Sequence, residues 1–298
     1  MNPVLKKLGY DERDRVVIIH ADDIGMCQAT LPAIADLFEF GIVSSAAVMA
    51  PCPWFLQTAA FCRENPTIDM GVHSTINCEW KTYRWGPIST RDPASGLLDE
   101  QGYFHRQPLV TEQQADPNAV AAEVRMQVVW ARQAGVDITH IDAHMGSVMA
   151  APFIRSYVEV ALENRLPLLM PSREGAVRLR ALGMGPESTA KATEEVWAEL
   201  EARGIPLFDD VTGLPLGDPT DHVAVAKKLI ANLQPGLTML LLHPAQDTPE
   251  LRAIAPDWPS RAANYAACMS PELRDYIRQS GVQVIGYRPL RELIRSGA

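Results

Sequence analysis

The chain has 298 residues, of which 47% are hydrophobic and 21% are charged, a composition that supports a full core and argues against disorder. The formal net charge of -9 argues against nucleic acid as the main partner. The sequence has no apolar run of membrane-span length and no apolar signal core at its N-terminus, so we expect a cytoplasmic protein without a membrane partner. The five cysteines form no C-x-x-C pair, which predicts free thiols in a reducing compartment.

In chain order, apolar stretches of strand length alternate with stretches of helical periodicity. Strands are predicted at residues 16–19, 45–49, 70–76, up to 141, 166–170, 205–208, 237–242 and 282–285. Helices are predicted near 31–38 and at 53–64, 118–134, 153–164, 188–203, 222–233, 271–279 and 289–295. This alternation predicts a parallel α/β sheet. We expect one domain over residues 1–298, a distorted (β/α) barrel of about seven strands, with an open sheet as the alternative.

Polar side chains that suit a metal site follow three of the predicted strands. The first strand runs into two adjacent carboxylates, Asp22 and Asp23, and two later strands end in His73 and His144. Packing does not explain these carboxylates, because desolvating a carboxylate is costly unless it is paired or bound to a cation. The carboxyl ends of parallel strands are where sites form. Asp142, two residues before His144, is suitably placed to orient the His144 ring.

These residue types predict a metal-dependent hydrolase of an acyl bond. Two imidazoles and one carboxylate leave open positions on a divalent ion, which then activates water and polarises a carbonyl. The other aspartate can take the proton of the water. His243, which follows the strand at 237–242, can protonate the leaving group. His20 and His140 lie inside apolar runs and are expected to pack or to form hydrogen bonds.

Four segments in order resemble the YdjC-type (ChbG/HpnK) carbohydrate deacetylases, which are related to polysaccharide deacetylases. The segments are residues 20–25 (HADDIG), 41–45 (GIVSS), 71–73 (GVH) and 139–144 (THIDAH), and the tail at 243–244 and 281–290 is similar too. The resemblance implies a polysaccharide-deacetylase-like barrel in which Asp23, His73 and His144 hold a divalent metal. It also implies Asp22 as general base and His243 as general acid.

The chain departs from the family pattern next to the predicted ligands. Members often have further histidines after the residue that matches His144, whereas this chain continues Met-Gly-Ser-Val-Met. Ser74 stands where a larger apolar residue is common. These changes leave the predicted metal ligands in place but remove whatever role the extra histidines have, so a chitin disaccharide is not assumed as the substrate.

Substrate contacts are predicted in two further places. Residues 77–117 form a long loop insertion that contains Trp80 and Trp85, and aromatic faces above a site suit the apolar faces of sugar rings. The alternative is that these rings attach the loop to the barrel. Arg173, just after the strand at 166–170, is predicted to contact the substrate or the base carboxylate.

The sequence therefore predicts a metal-dependent hydrolase that removes an acyl group, with acetyl favoured, from an amino sugar or glycan. The cofactor is a divalent ion, with Zn²⁺ or Mg²⁺ favoured, although Co²⁺, Ni²⁺ and Mn²⁺ also fit. A small carbohydrate is the expected partner, and a homodimer is left open. One alternative is a metal-dependent hydrolase of another bond, such as an ester, a non-sugar amide or a glycosidic linkage. The other is a non-catalytic carbohydrate-binding barrel.

Overall fold

The computed structural model describes residues 2–181 and 189–297 as a parallel sheet surrounded by helices. The strands are β1 (Arg15–Ile24), β2 (Ser45–Val48), β3 (Met70–Ser74), β4 (Ile138–Ala143), β5 (Asp210–Gly213), β6 (Gly236–Leu242) and β7 (Gln283–Val284). The helices are α1 (Pro3–Lys7), α2 (Thr30–Phe40), α3 (Phe55–Glu64), α4 (Pro108–Gln114), α5 (Pro117–Gln133), α6 (Ile154–Asn164), α7 (Arg173–Ala181), α8 (Thr189–Ala202), α9 (His222–Asn232), α10 (Pro249–Ile254), α11 (Trp258–Cys268), α12 (Pro271–Gln279) and α13 (Arg288–Ser296).

The seven strands form one sheet, and a short segment joins its two ends into a distorted barrel. The strand order is β4-β3-β2-β1-β6-β5, with β7 pairing with β1, and every pairing is parallel. Residues 167–171 connect β4 to β5, because Ile141 pairs with Leu168 and Pro171 pairs with Phe208, both in parallel. The predicted α/β fold is confirmed. The prediction of a single domain stays a prediction.

Several predicted elements differ from the structure. The strand predicted at 205–208 lies at Asp210–Gly213, where only Val211 of the four residues is fully buried, so the segment does not have the apolar pattern of a buried strand. The segment predicted as a strand at 166–170 makes only isolated bridges. Neither α10 nor α11, whose first residue is Trp258, was predicted. The predicted start of a helix at residue 188 lies outside the described residues.

The predicted loop at 77–117 is largely packed. It contains a 3₁₀ helix at Pro93–Ser95, the helix α4, and an antiparallel bridge between Leu98 and Phe104. Its aromatic side chains attach it to the barrel. The hydroxyl of Tyr83 donates to the carbonyl of Met26 at 2.8 Å. This explains why a long stretch without regular secondary structure is ordered here.

Local sequence signals account for many helix ends. Asp116 caps α5 by accepting a hydrogen bond from the amide of Asn118, and Pro117 stands at the first helical position. Gly41 ends α2 with a φ of 83°, a left-handed conformation that glycine adopts without a steric cost. Within the described ranges, no helix has both the length and the apolar character that crossing a bilayer requires.

Polar rings fill the inside of the barrel beneath its carboxyl end. His20 and His140 are both completely buried, and the ring of His140 stacks on that of Tyr287 with 3.7 Å between centroids. Residue 71 must be a glycine for this packing, because a Cβ at Gly71 would lie 2.4 Å from the His140 ring. The barrel therefore presents a layer of buried titratable groups directly below the ends of β1, β3 and β4.

Candidate active site

An irregularity in β1 brings the side chains of two consecutive aspartates to the same end of the barrel. Successive side chains of a regular strand point to opposite faces. The register between β1 and β2 shifts between Ala21 and Ile24, and Asp23 adopts a φ of 64°. Such a bulge re-aims side chains. As a result, Asp22 lies near His243 while Asp23 contacts the histidines of the neighbouring strands.

Asp23, His73 and His144 place three potential ligand atoms at the corners of a small triangle. Asp23 Oδ1 is 3.3 Å from His73 Nε2 and 3.2 Å from His144 Nδ1. The two imidazole nitrogens are 3.3 Å apart. Donor atoms that bind one ion at about 2.0–2.1 Å with tetrahedral angles are about 3.3 Å from each other. The three atoms therefore have the spacing that a zinc-like ion requires.

The remaining ring nitrogens of both histidines are held by carboxylates. His73 Nδ1 lies 2.7 Å from Asp142 Oδ1, and His144 Nε2 lies 3.0 Å from Glu79 Oε2. A carboxylate on one ring nitrogen favours protonation there and leaves the other nitrogen free to bind a metal, the usual arrangement behind metal-binding histidines. This donor set fits a divalent cation.

Arg261 on α11 fixes the remaining oxygen of Asp23. Its Nη1 donates to Asp23 Oδ2 at 2.7 Å, and its other nitrogens contact Asp257 at 3.0 Å. Burial opposes ionisation of Asp23, but the Arg261 guanidinium and the neighbouring imidazoles outweigh it and hold the pKa of this carboxyl well below its usual value. Asp23 Oδ1 is buried and has no hydrogen-bond partner among the described residues, which again fits a cation.

His20 and His243 lie on either side of Asp22. His20 Nε2 is 3.1 Å from Asp22 Oδ1, and His243 Nε2 is 3.6 Å from Asp22 Oδ2. Burial alone would lower the pKa of His20, but contacts with Asp142 and Asp22 outweigh burial and raise that pKa to about 9. Burial lowers the pKa of His243 from its usual value. Asp22 thus has a cationic neighbour on one side and a neutral imidazole on the other near pH 7.

Trp80 and Trp85 belong to an aromatic cluster beside the candidate ligands. Their ring centroids are 5.8 Å apart, and Trp85 lies 6.3 Å from the ring of His144. Trp85 is 2% exposed and donates from Nε1 to the carbonyl of Asn77, so it attaches the loop to the barrel. Trp80 lines a cavity of about 350 Å³ together with Glu79, Lys81, Thr82, Arg106, Arg252, Ala253, Ile254, Ala255, Pro256 and Trp258.

Arg173 is not brought to this site. It pairs with Glu194 at 3.1 Å and also with Glu201. It lines a separate cavity of about 690 Å³ that extends to Gly236, the first residue of β6. The ligand cluster lies instead at the carboxyl ends of the strands. The predicted contact of Arg173 with the substrate or the base therefore finds no support in its position.

Two residues of the site were missed from the sequence. Glu79 stands in the irregular segment after β3, and Arg261 lies on a helix that was not predicted. The only available signal for Glu79 was its position beside Trp80, six residues after His73 in the segment that follows the same strand. Nothing in the sequence distinguishes Arg261 from the many exposed arginines, because its role depends on a contact 238 positions away along the chain.

The chain is similar to known proteins over almost its whole length. The sequence model of the YdjC-like protein family matches residues 16–279. A protein of Thermus thermophilus named carbohydrate deacetylase is 31% identical over 294 residues, which cover 98% of this chain and 99% of that protein. Another of that name, from Thermoanaerobacter pseudethanolicus, is 23% identical and covers 93% of this chain and 100% of its own. A solved structure from Enterococcus faecalis V583, named for cellobiose-phosphate cleavage, has a TM-score of 0.76 at 23% identity, covering 93% and 99% of the two chains.

Proposed function

We propose, since the chain belongs to the YdjC-like protein family, that it is a metal-dependent hydrolase that removes an acetyl group from the amine of a small amino sugar or glycan. The relatives named carbohydrate deacetylase support the substrate class. The observation that carries the proposal is the triangle of Asp23 Oδ1, His73 Nε2 and His144 Nδ1, with sides of 3.2–3.3 Å.

The charges around the triangle also favour a divalent cation. Among the described residues, four carboxylates lie in contact around the triangle, those of Asp22, Asp23, Asp142 and Glu79. Without an ion, their charge is balanced by Arg261 and His20 and by protons on His73 and His144, whose pKa values the carboxylates raise against the effect of burial. Buried charge needs compensation, and unpaired carboxylates in an apolar interior are strongly unfavourable. A bound divalent ion would supply that compensation, lower the pKa of a water and polarise the acetyl carbonyl. Its identity follows from supply as much as from the ligands.

The side chains of the chain itself account for the proton transfers. Asp22 Oδ2 faces His243 and, as the general base, takes the proton of the attacking water. His243, on the same side of the site, is the general acid that gives a proton to the nitrogen of the leaving amine. Because burial lowers its pKa, only the fraction of the protein with a protonated His243 carries out this step. The cavity of about 350 Å³ beside Glu79 and Trp80 is large enough to hold part of a sugar, and Trp80 and Trp258 line it with aromatic surface.

Acetate release tests the proposal. The protein is stripped with a chelator, reloaded separately with Zn²⁺, Co²⁺, Ni²⁺, Mn²⁺ or Mg²⁺, and incubated with N-acetylated amino sugars and with matched O-acetyl esters. We expect metal-dependent release of acetate and free amine. His144→Ala removes one predicted ligand while Glu79 and Asp23 remain. This variant should bind no metal and should release no acetate.

Each alternative predicts a different result. Release from the esters alone would point to another acyl hydrolase. Sugar binding without acetate release would point to a non-catalytic barrel. Turnover that persists after metal removal would contradict the metal-dependent mechanism.

A further inference from the structure

His20 lies beneath the site, completely buried, between two carboxylates. Its Nε2 forms a hydrogen bond of 2.8 Å with Asp142 Oδ2 and lies 3.1 Å from Asp22 Oδ1. Its Nδ1 has no hydrogen-bond partner among the described residues. All the polar contacts of this imidazole are therefore made by one nitrogen, directed at two acids of the site.

Each of these two carboxylates has a second contact that leads to the reacting centre. Asp142 Oδ1 holds the ligand His73 at 2.7 Å, and Asp22 Oδ2 lies 3.6 Å from His243. Asp22 Oδ1 makes no hydrogen bond among the described residues, and the imidazole of His20 contacts it at 3.1 Å. His20 and Asp22 lie two positions apart on β1 and share one face of the strand. The backbone therefore fixes their relative position.

We propose that His20 is a positioning residue for the base: it holds Asp22 by one oxygen, so that the other oxygen faces His243 and the substrate. Two carboxylates this close repel each other, since the ligand atoms of Asp22 and Asp142 lie within 4.8 Å of one another together with His73. The imidazole between them, which forms its hydrogen bond with Asp142 and contacts Asp22 Oδ1 at 3.1 Å, offsets part of this repulsion and fixes the positions of both carboxylates. This inference rests on the proposed function, in which Asp22 is the general base.

His140 provides a matched control within the same buried layer. It is as completely buried as His20, and the two ring centroids are 5.0 Å apart. Its Nε2 is 3.9 Å from Asp142 and without a hydrogen-bond partner among the described residues, while its ring stacks on Tyr287. If kcat falls only because the packing is disturbed, it should fall after replacement of either histidine. If kcat falls because Asp22 is misplaced, it should fall after replacement of His20 but not of His140.

The kinetic test compares His20→Leu, His20→Gln and His140→Leu after the bound metal of each has been measured. His20→Leu should lower kcat by about 10–100-fold, the range seen for groups that orient the reacting residues, with metal content and KM nearly unchanged. His20→Gln should recover most of this loss, because its amide has two N–H groups for the two carboxylates. Should His20→Leu not fold, His20→Asn replaces it, since its amide is one methylene too short to reach both.

A stability cycle tests the contact without any turnover. In chelator, His20→Leu leaves the buried Asp22 carboxylate without its partner, and Asp22→Asn then removes that charge. Asp22→Asn should therefore raise the folding equilibrium constant at least about fivefold more in the His20→Leu background than in the wild type. Additivity of the two changes would overturn the proposal, as would a kcat of His20→Leu equal to that of His140→Leu. If the wild type releases no acetate, the proposed function fails, and the cycle still decides whether His20 holds Asp22.

Discussion

Replacing Arg261 with methionine removes the only cationic side chain that contacts Asp23 Oδ2 among the residues described. Methionine keeps much of the length and apolar volume but leaves a carboxylate that is 2% exposed without its partner. Removing one member of a buried pair of this kind costs about 3–5 kcal/mol. For a chain of this size we expect the melting temperature of the metal-free protein to fall by roughly 6–20 °C.

Arg252→Met is the matched control for this experiment. Arg252, like Arg261, pairs with a carboxylate, in this case Asp247. Both guanidinium groups lie over a tryptophan ring, that of Arg261 at 5.4 Å from Trp80 and that of Arg252 at 4.7 Å from Trp258. Its side chain is 57% exposed and that of Asp247 is 40% exposed, so solvent screens the pair and its loss should change the melting temperature little. The assay is thermal unfolding in chelator and again in saturating Zn²⁺. Equal shifts for the two variants would refute the argument.

Saturating metal should reduce the difference in melting temperature between Arg261→Met and the wild type, because an ion bound at Asp23 replaces part of the missing positive charge. A difference in melting temperature that metal leaves unchanged would count against Asp23 as a ligand.

Three further predictions concern the remaining site residues. Asp22→Asn should keep the metal content of the wild type and lower kcat by about 10²–10⁴-fold, as measured by acetate release; loss of metal would mean that the two aspartates have exchanged roles. Glu79→Gln should weaken metal binding by about 10–100-fold in a competition titration with a chelating dye, because His144 loses the carboxylate that orients it. Burial lowers the pKa of His243 and outweighs the carboxylates of Asp22 and Asp23, which raise it. If this residue acts as a protonated acid, kcat/KM should therefore fall as pH rises through a value below the usual histidine value of about 6.5. His243→Asn should remove that falling limb, and a limb that persists in the variant would assign it to another group.

The strand ends are the part of the site that the sequence predicts well. Asp22, Asp23, His73 and His144 each follow an apolar run, and parallel strands bring their carboxyl ends to one edge, so their convergence follows from the periodicity of the chain. The structure brings Asp23, His73 and His144 together. Their roles as ligands stay a prediction, as does that of Asp22 as base.

Contacts that depend on tertiary packing could not be predicted in this way. Arg261 reaches Asp23 from α11, across the mouth of the barrel, and nothing in the local sequence indicates which way that helix faces. Arg173 is the converse case, a residue that the sequence suggested and whose position gives the suggestion no support. Its position just after a predicted strand suggested the site, but the cavity that it lines extends to the amino end of β6, and nearby glutamates pair with it.

The structure also gives the two adjacent aspartates different surroundings, whereas in the sequence only the family resemblance distinguishes their roles. Asp23 has one oxygen held by Arg261 and the other facing two imidazoles, so neither is available to accept a proton from water. Asp22 has one oxygen beside His20, while the other faces the imidazole of His243. The φ of 64° at Asp23 is unfavourable for a residue with a Cβ by about 1–2 kcal/mol, yet it is what turns the second carboxylate towards the histidines. A local backbone irregularity thus gives two neighbouring, chemically identical side chains different environments, and these suit the predicted roles of a ligand and a base.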